Sequence, residues 1–138
     1  MGKIIGYTAG VFDLFHIGHL NILKQAKENC DFLIVALTTD ELSLESKGKL
    51  PIVPYQERYE ILLSNRYVDM VIPQTEYNKI KDWDNYKFDK IFAGSDKRVT
   101  KEYKGFTEFF NSVNVEIVYF DYTQHTSSTF LRSVLEKI

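Results

Sequence analysis

His16 and His19 stand three residues apart with Gly18 between them, inside the stretch GVFDLFHIGH over residues 10–19. On a helical turn that spacing puts both imidazoles on one face. A glycine between them lets another backbone or a ligand approach closely. The stretch follows a run of β-formers over residues 3–8 and leads into helical spacing over 20–29, where Leu20, Leu23 and Ala26 recur along one side. The pair is therefore expected at a helix start, where free N–H groups and the positive end of the helix dipole attract phosphate. Two imidazoles there add neutral or cationic donors. The plainer alternative is a pair of partly exposed histidines beside a helix-start glycine. The order of strand, glycine, Phe-Asp and helix start argues against it.

Other clusters are weaker alone. Thr126, Ser127, Ser128 and Thr129 lie directly before a C-terminal helical pattern. One hydroxyl suffices for an N-cap, whereas a row of four could hold a triphosphate chain. Lys47-Gly48-Lys49 sits in an irregular stretch, with Arg58 on the helical pattern that follows. Lysines on a flexible loop are either solvated or close over a phosphate as mobile point charges. Arg66 and Asp69 at i, i+3 would form a local ion pair worth about 0–1 kcal/mol. Asp96, after Gly94 and Ser95, could accept from an amine or ribose hydroxyl, or could cap a loop.

The elements that must position these groups follow from periodicity. FLIVAL over 32–37 is a continuous apolar run, the pattern of a strand covered on both faces. Helical spacing opens with Pro54 over 54–64, a short strand follows over 70–72 and another over 90–93. A helix over 100–111, a strand over 115–120 and a final helix over 128–138 complete the order. Strand and helix alternate about five times, which implies βαβ units and a parallel sheet with helices on both faces and the first strand central. The stretch 42–53 is the least regular and is expected to be a mobile loop. Ligands in such folds bind beyond the carboxyl ends of the strands.

Composition removes several function classes. The chain has 138 residues, enough for one domain, and its net charge of −2 provides no global positive field for nucleic acid. Any phosphate must be held by a local basic cluster. Cys30 is the only cysteine, so neither an internal disulfide nor a thiolate metal cluster can form. No metal site of standard spacing is present, and His16, His19 and His125 do not make a closed zinc set. There is no Walker-type phosphate loop and no GxSxG elbow. No apolar run approaches the ~20 residues that cross a bilayer. The N-terminus lacks signal-peptide features, so the expected compartment is cytoplasmic.

GVFDLFHIGH resembles the GTFDLLHWGH signature of the HxGH-motif cytidylyltransferases, and the resemblance is strongest to the bacterial glycerol-3-phosphate cytidylyltransferases. It extends over nearly the whole chain. RYVD at 66–69 is similar to a segment of these enzymes, and Lys47 and Lys49 fall where they carry phosphate-binding lysines. The resemblance implies a Rossmann-like three-layer αβα fold with a parallel five-stranded sheet, a homodimer, CTP carrying Mg²⁺, and pyrophosphate release. It implies catalytic roles for His16, His19 and Lys47. Val11, Phe12, His16, His19, Lys49, Asp96, Tyr122, Thr123, Thr126, Ser127, Ser128 and Thr129 would bind the nucleotide. Lys47, Arg58, Arg66 and Lys79 would bind the acceptor. One motif departs: where the family reads RTEGISTT this chain has YTQHTSST, with Tyr122 for the arginine and His125 for the glycine. His125 or Arg98 is expected to replace the lost charge.

The implied reaction is attack by an acceptor phosphate oxygen on the α-phosphorus of CTP. A phosphate monoester is mostly dianionic at pH 7 and needs no general base, so the histidines are expected to stabilise charge rather than take protons. Adenylyl transfer from ATP to FMN or a sugar phosphate would use the same triphosphate machinery. An inert nucleotide-binding module is the reading from another class.

Overall fold

A computed structural model describes residues 2–121 and 127–138. Its strands are β1 (Ile5–Gly10), β2 (Phe32–Thr38), β3 (Met70–Gln74), β4 (Lys90–Gly94) and β5 (Glu116–Phe120). Its helices are α1 (Ile17–Glu28), α2 (Asp40–Lys47), α3 (Tyr55–Leu63), α4 (Lys79–Tyr86), α5 (Lys101–Ser112) and α6 (Ser128–Glu136), with a 3-10 turn at Ser95–Val99. The five strands form one sheet in the order β3-β2-β1-β4-β5, parallel at every pairing, with β1 in the centre. This is the three-layer α/β fold expected from the alternation. The order reverses on either side of β1, so the crevice at its carboxyl end is where a ligand is accommodated.

The strands bury both faces with a period of two. On β2, Leu33, Val35 and Leu37 enter a core shared with Leu23 and Ala26 of α1 and Leu62 of α3. Ile34 and Ala36 enter the opposite core, against Phe110 of α5 with Ile80 and Trp83 of α4 beside it. Gly6 lets β1 sit close to the first of these cores, which also holds Phe92 and Cys30. A Cβ there would stand 2.5 Å from the Phe92 ring and 2.7 Å from Cys30 Sγ. Gly6→Ala is therefore expected to lose about 1–3 kcal/mol by overpacking, measured as a lower urea midpoint with an unchanged slope.

Two expectations need correction. The stretch 42–53 is not one loop, because residues 40–47 form α2. The Thr39 side chain caps it by accepting from Leu42 N–H, Asp40 and Glu41 sit in its first turn, Lys47 sits in its last, and Gly48 ends it at φ 75°. These local signals outweigh the polar composition that suggested a loop. The second correction is α4, which periodicity did not reveal. Asn78 caps it and it is eight residues long, too short for a clear apolar stripe. Among the described residues no helix is long and apolar enough to cross a membrane.

Candidate active site

The turn from β1 into α1 is strained. Phe12 and Leu14 have φ of 50° and 52°, a region that costs a non-glycine residue about 1–3 kcal/mol. Asp13 between them is 3 % exposed. Its carboxylate accepts from the Ile52 N–H at 2.8 Å, the Val53 N–H at 2.9 Å and Arg132 of α6 at 2.7 Å. One buried anion thus holds together the turn, the segment before α3, and α6. These bonds offset the strain and fix where the next residues point.

The histidine spacing is that of a helix-capping box. His16 is the N-cap of α1 and its Nδ1 accepts from the Gly18 N–H at 3.0 Å. His19, three residues on, turns its Nδ1 back to accept from the His16 N–H at 3.3 Å. With both Nδ1 lone pairs used, the proton of each neutral ring belongs on Nε2. The rings stack with centroids 4.0 Å apart. Both Nε2 atoms meet the Ser128 hydroxyl, at 3.2 and 3.4 Å. That hydroxyl donates its own proton to the Asp13 carbonyl at 2.7 Å, so towards the histidines it is an acceptor. Two parallel N–H donors therefore converge on one oxygen. A phosphate oxygen in its place would find the same pair of donors.

Burial, then the neighbouring His16, pulls the His19 pKa down to about 4, with Asp13 opposing; burial also lowers His16. In the free protein at neutral pH both rings are uncharged donors. A polyanion beside them would raise both pKa values. Because the folded pKa of His19 lies below its unfolded value of about 6.5, its contribution to stability is complete above pH 6.5. It is lost as pH falls toward 4. The free protein is expected to lose up to about 3 kcal/mol in that window, and His19→Gln should flatten the profile. Urea midpoints from pH 7 to 4 would show it, and parallel profiles for both proteins would exclude it.

His19 and Ser128 line a cleft of about 640 Å³, a normal size for a small-molecule site. Its floor is the carboxyl edge of the sheet, with Thr8 and Gly10 of β1, Thr38 of β2, Gln74 of β3 and Gly94 of β4. Its walls carry Lys47, Lys49, Lys79, Lys97 and Arg132 against the carboxylates of Asp13 and Glu102. The Lys47 pKa is lowered by burial first, then by Lys97, Arg132 and Lys49, as expected where several cations gather. Lys79 is only 4 % exposed. Its ammonium sits 3.7 Å from Glu102 and over the rings of Tyr103 and Phe106. Burial lowers its pKa, and Glu102 is the largest opposing influence.

A cleft of converging N–H donors and lysines is built for phosphate groups. Comparison with known proteins agrees: the cytidylyltransferase-like family model matches residues 7–134. The chain belongs to the cytidylyltransferase-like family. It is similar to the glycerol-3-phosphate cytidylyltransferase of Staphylococcus aureus, with 35% identity over 136 residues, covering 98% of this chain and 96% of the relative. It shares 38% identity over 133 residues with the Bacillus subtilis protein of that name, covering 96% and 95%. Among solved structures it resembles a lipopolysaccharide core biosynthesis protein of Thermoplasma volcanium, with TM-score 0.77 and 28% identity, covering 89% of this chain and 100% of that one. The protein is a nucleotidyltransferase.

Of the residues expected in the site, this cytidylyltransferase-like chain brings Val11, Phe12, His19, Lys47, Lys49, Lys79, Ser128 and Thr129 to the cleft. His16 stacks on His19, and Ser127 caps α6 by accepting from the Phe130 N–H at 3.0 Å. Tyr122, Thr123, Thr126 and His125 lie outside the described residues. Others stand elsewhere. Arg58 is 1 % exposed, donating to the carbonyls of Val53, Val11 and Thr38 and pairing with Asp40 at 2.6 Å. It is a strut beneath the cleft, with four of its five N–H donors held by these groups, and it is not part of the cleft lining. Arg66 is exposed before β3, at the amino edge of the sheet, and lies over the Tyr67 ring. Its expected partner Asp69 is taken by Lys27 and the Leu33 N–H, because the chain turns between Arg66 and Asp69 instead of making a helix. Asp96 is exposed in the 3-10 turn, outside the cleft lining. Arg98 lies over the Tyr119 ring, and its neighbour Lys97 faces the cleft instead.

Asp13, Gln74, Glu102 and Arg132 join the site without having been expected there, and Lys97, adjacent to Arg98 in the basic pair after β4, is the member of that pair that lines it. Only Arg132 carries a usable signal: it lies four residues after Ser128, one turn along the same face of α6.

Proposed function

We propose that this nucleotidyltransferase moves CMP from CTP to glycerol 3-phosphate, giving CDP-glycerol and pyrophosphate. The observation that carries a phosphate-transfer reading is the pair of Nε2–H donors converging at the mouth of a cation-lined cleft. The choice of CTP and glycerol 3-phosphate rests on the names of the full-length relatives. A phosphate oxygen of the acceptor attacks the α-phosphorus, and the bond to the bridging oxygen of pyrophosphate breaks. The acceptor phosphate is already dianionic, so no proton is taken by the enzyme. His16 and His19 donate to oxygens whose charge grows or persists through the step. Arg132 and Lys97 supply the positive charge that Tyr122 does not, and Lys47 and Lys79 hold the acceptor phosphate.

Among the described residues no three His, Cys, Asp or Glu side chains group to hold a metal. Asp13 and Glu102 are already committed to Arg132 and Lys79. That donor set fits an Mg²⁺ carried on triphosphate oxygens and water, where it would neutralise phosphate charge. We also propose a homodimer, with exposed Phe130, Val134 and Leu135 on α6 as apolar surface to cover; sedimentation velocity would distinguish it from a 16.1 kDa monomer.

Thermal shifts with CTP, ATP, GTP and UTP plus Mg²⁺ test the nucleotide, and pyrophosphate release with glycerol 3-phosphate and other phosphomonoesters tests the acceptor. A shift with ATP alone would replace the reading with adenylyl transfer.

A further inference from the structure

Gln74 ends β3 at the carboxyl edge of the sheet and is 3 % exposed. Among the described residues its side chain makes one hydrogen bond, in which the Thr38 hydroxyl donates to Oε1 at 2.7 Å. Thr38 is 1 % exposed and its hydroxyl has no other acceptor among the described residues. Its proton therefore goes to Gln74 and decides which end of the carboxamide is the oxygen. The –NH₂ end turns the other way. Among the described residues no fully buried side-chain nitrogen or oxygen lacks a partner. This amide nitrogen, unpartnered, must therefore still touch the open cleft that Gln74 lines. The amide nitrogen of a nearly buried, fixed side chain is thus left at the cleft with donors that no described protein group receives. Such a donor in a confined space favours a ligand oxygen.

Its place indicates which ligand. The triphosphate end of the cleft is marked by His19, Ser128 and Arg132, from α1 and α6. Gln74 belongs to β3, separated from central β1 by β2. Tyr77 lines the same end, and its hydroxyl bonds Ser46 Oγ of α2 at 2.6 Å. Ser46 gives its own proton to the Leu42 carbonyl, so Tyr77 is the donor and its proton is not free for a ligand. Among the described residues at this end, Gln74 is a neutral side chain with donors to spare. Building on the transfer reading above, we propose that Gln74 determines acceptor specificity by donating to a hydroxyl oxygen on the carbon chain. It thereby selects phosphomonoesters of polyols over those of simple alcohols.

The test compares glycerol 3-phosphate, propyl phosphate and inorganic phosphate by calorimetric titration of the intact protein, together with the Michaelis constants for acceptor and CTP. Wild type is expected to bind glycerol 3-phosphate about tenfold more tightly than propyl phosphate, the size of one neutral hydrogen bond. In Gln74→Met the two esters should bind within about two- to threefold of each other, with inorganic phosphate and CTP affinity unchanged. The Thr38→Val, Gln74→Met double variant removes both partners of the buried bond. It keeps the test valid if Met alone leaves Thr38 unsatisfied and unfolds the protein. Equal binding of the two esters by wild type overturns the proposal, as does a preference that survives in the folded variant. If the Gln74-dependent preference is found but no phosphomonoester yields pyrophosphate from CTP, the transfer reading fails and the specificity assignment stands.

Discussion

His19→Ala is expected to lower turnover on the order of 100-fold or more, the effect of removing a donor that acts in the transition state. Nucleotide affinity should change far less. His16→Ala should behave the same way, because the two Nε2–H groups converge on one oxygen position. The rings also cap α1, so each alanine variant loses a cap worth about 1 kcal/mol. His16→Asn separates the two roles. Asparagine caps a helix start as well as any residue but cannot place a donor at the end of an imidazole. It should fold like wild type and remain slow. Single-turnover pyrophosphate release, with CTP affinity by calorimetry, is the measurement. Near-normal turnover in both alanine variants would remove the histidines from the chemistry.

Asp13→Ala is expected to cost about 3–5 kcal/mol of stability, the usual loss when one partner of a buried ion pair is removed. The Ile52 and Val53 amides and the Arg132 guanidinium lose their acceptor together. The left-handed conformations of Phe12 and Leu14 then lose the bonds that offset them. Asp13 also receives the Ser128 hydroxyl proton on its carbonyl, so relaxation of this turn would move the oxygen the histidines face. Turnover should fall with stability. Arg132→Met is the control, since it leaves the two backbone bonds to Asp13 intact. It should lose less stability while still weakening triphosphate binding. Urea denaturation of both variants decides the matter, and equal losses would show that the Arg132 pair alone supports the turn.

What is legible in the sequence is local. Residues three apart, a strand running into a helix and an unbroken FLIVAL run are set by neighbours along the chain. The paired histidines at a helix start, the parallel sheet and central β1 therefore follow from residue order alone. The capping of α2 is local too, but polar composition hides it. Tertiary structure decided the fate of individual charges. Arg58 reads as a free cation on a helix until carbonyls from three separate segments surround it. Arg132 joins Asp13 across 119 residues of chain. Gln74, a polar residue at a strand end, becomes a fixed donor only because Thr38, on the neighbouring strand, has nowhere else to place its proton. Residue type states what a side chain can donate or accept. Which partner claims it depends on burial and on groups far away in sequence, and only the folded chain brings those together.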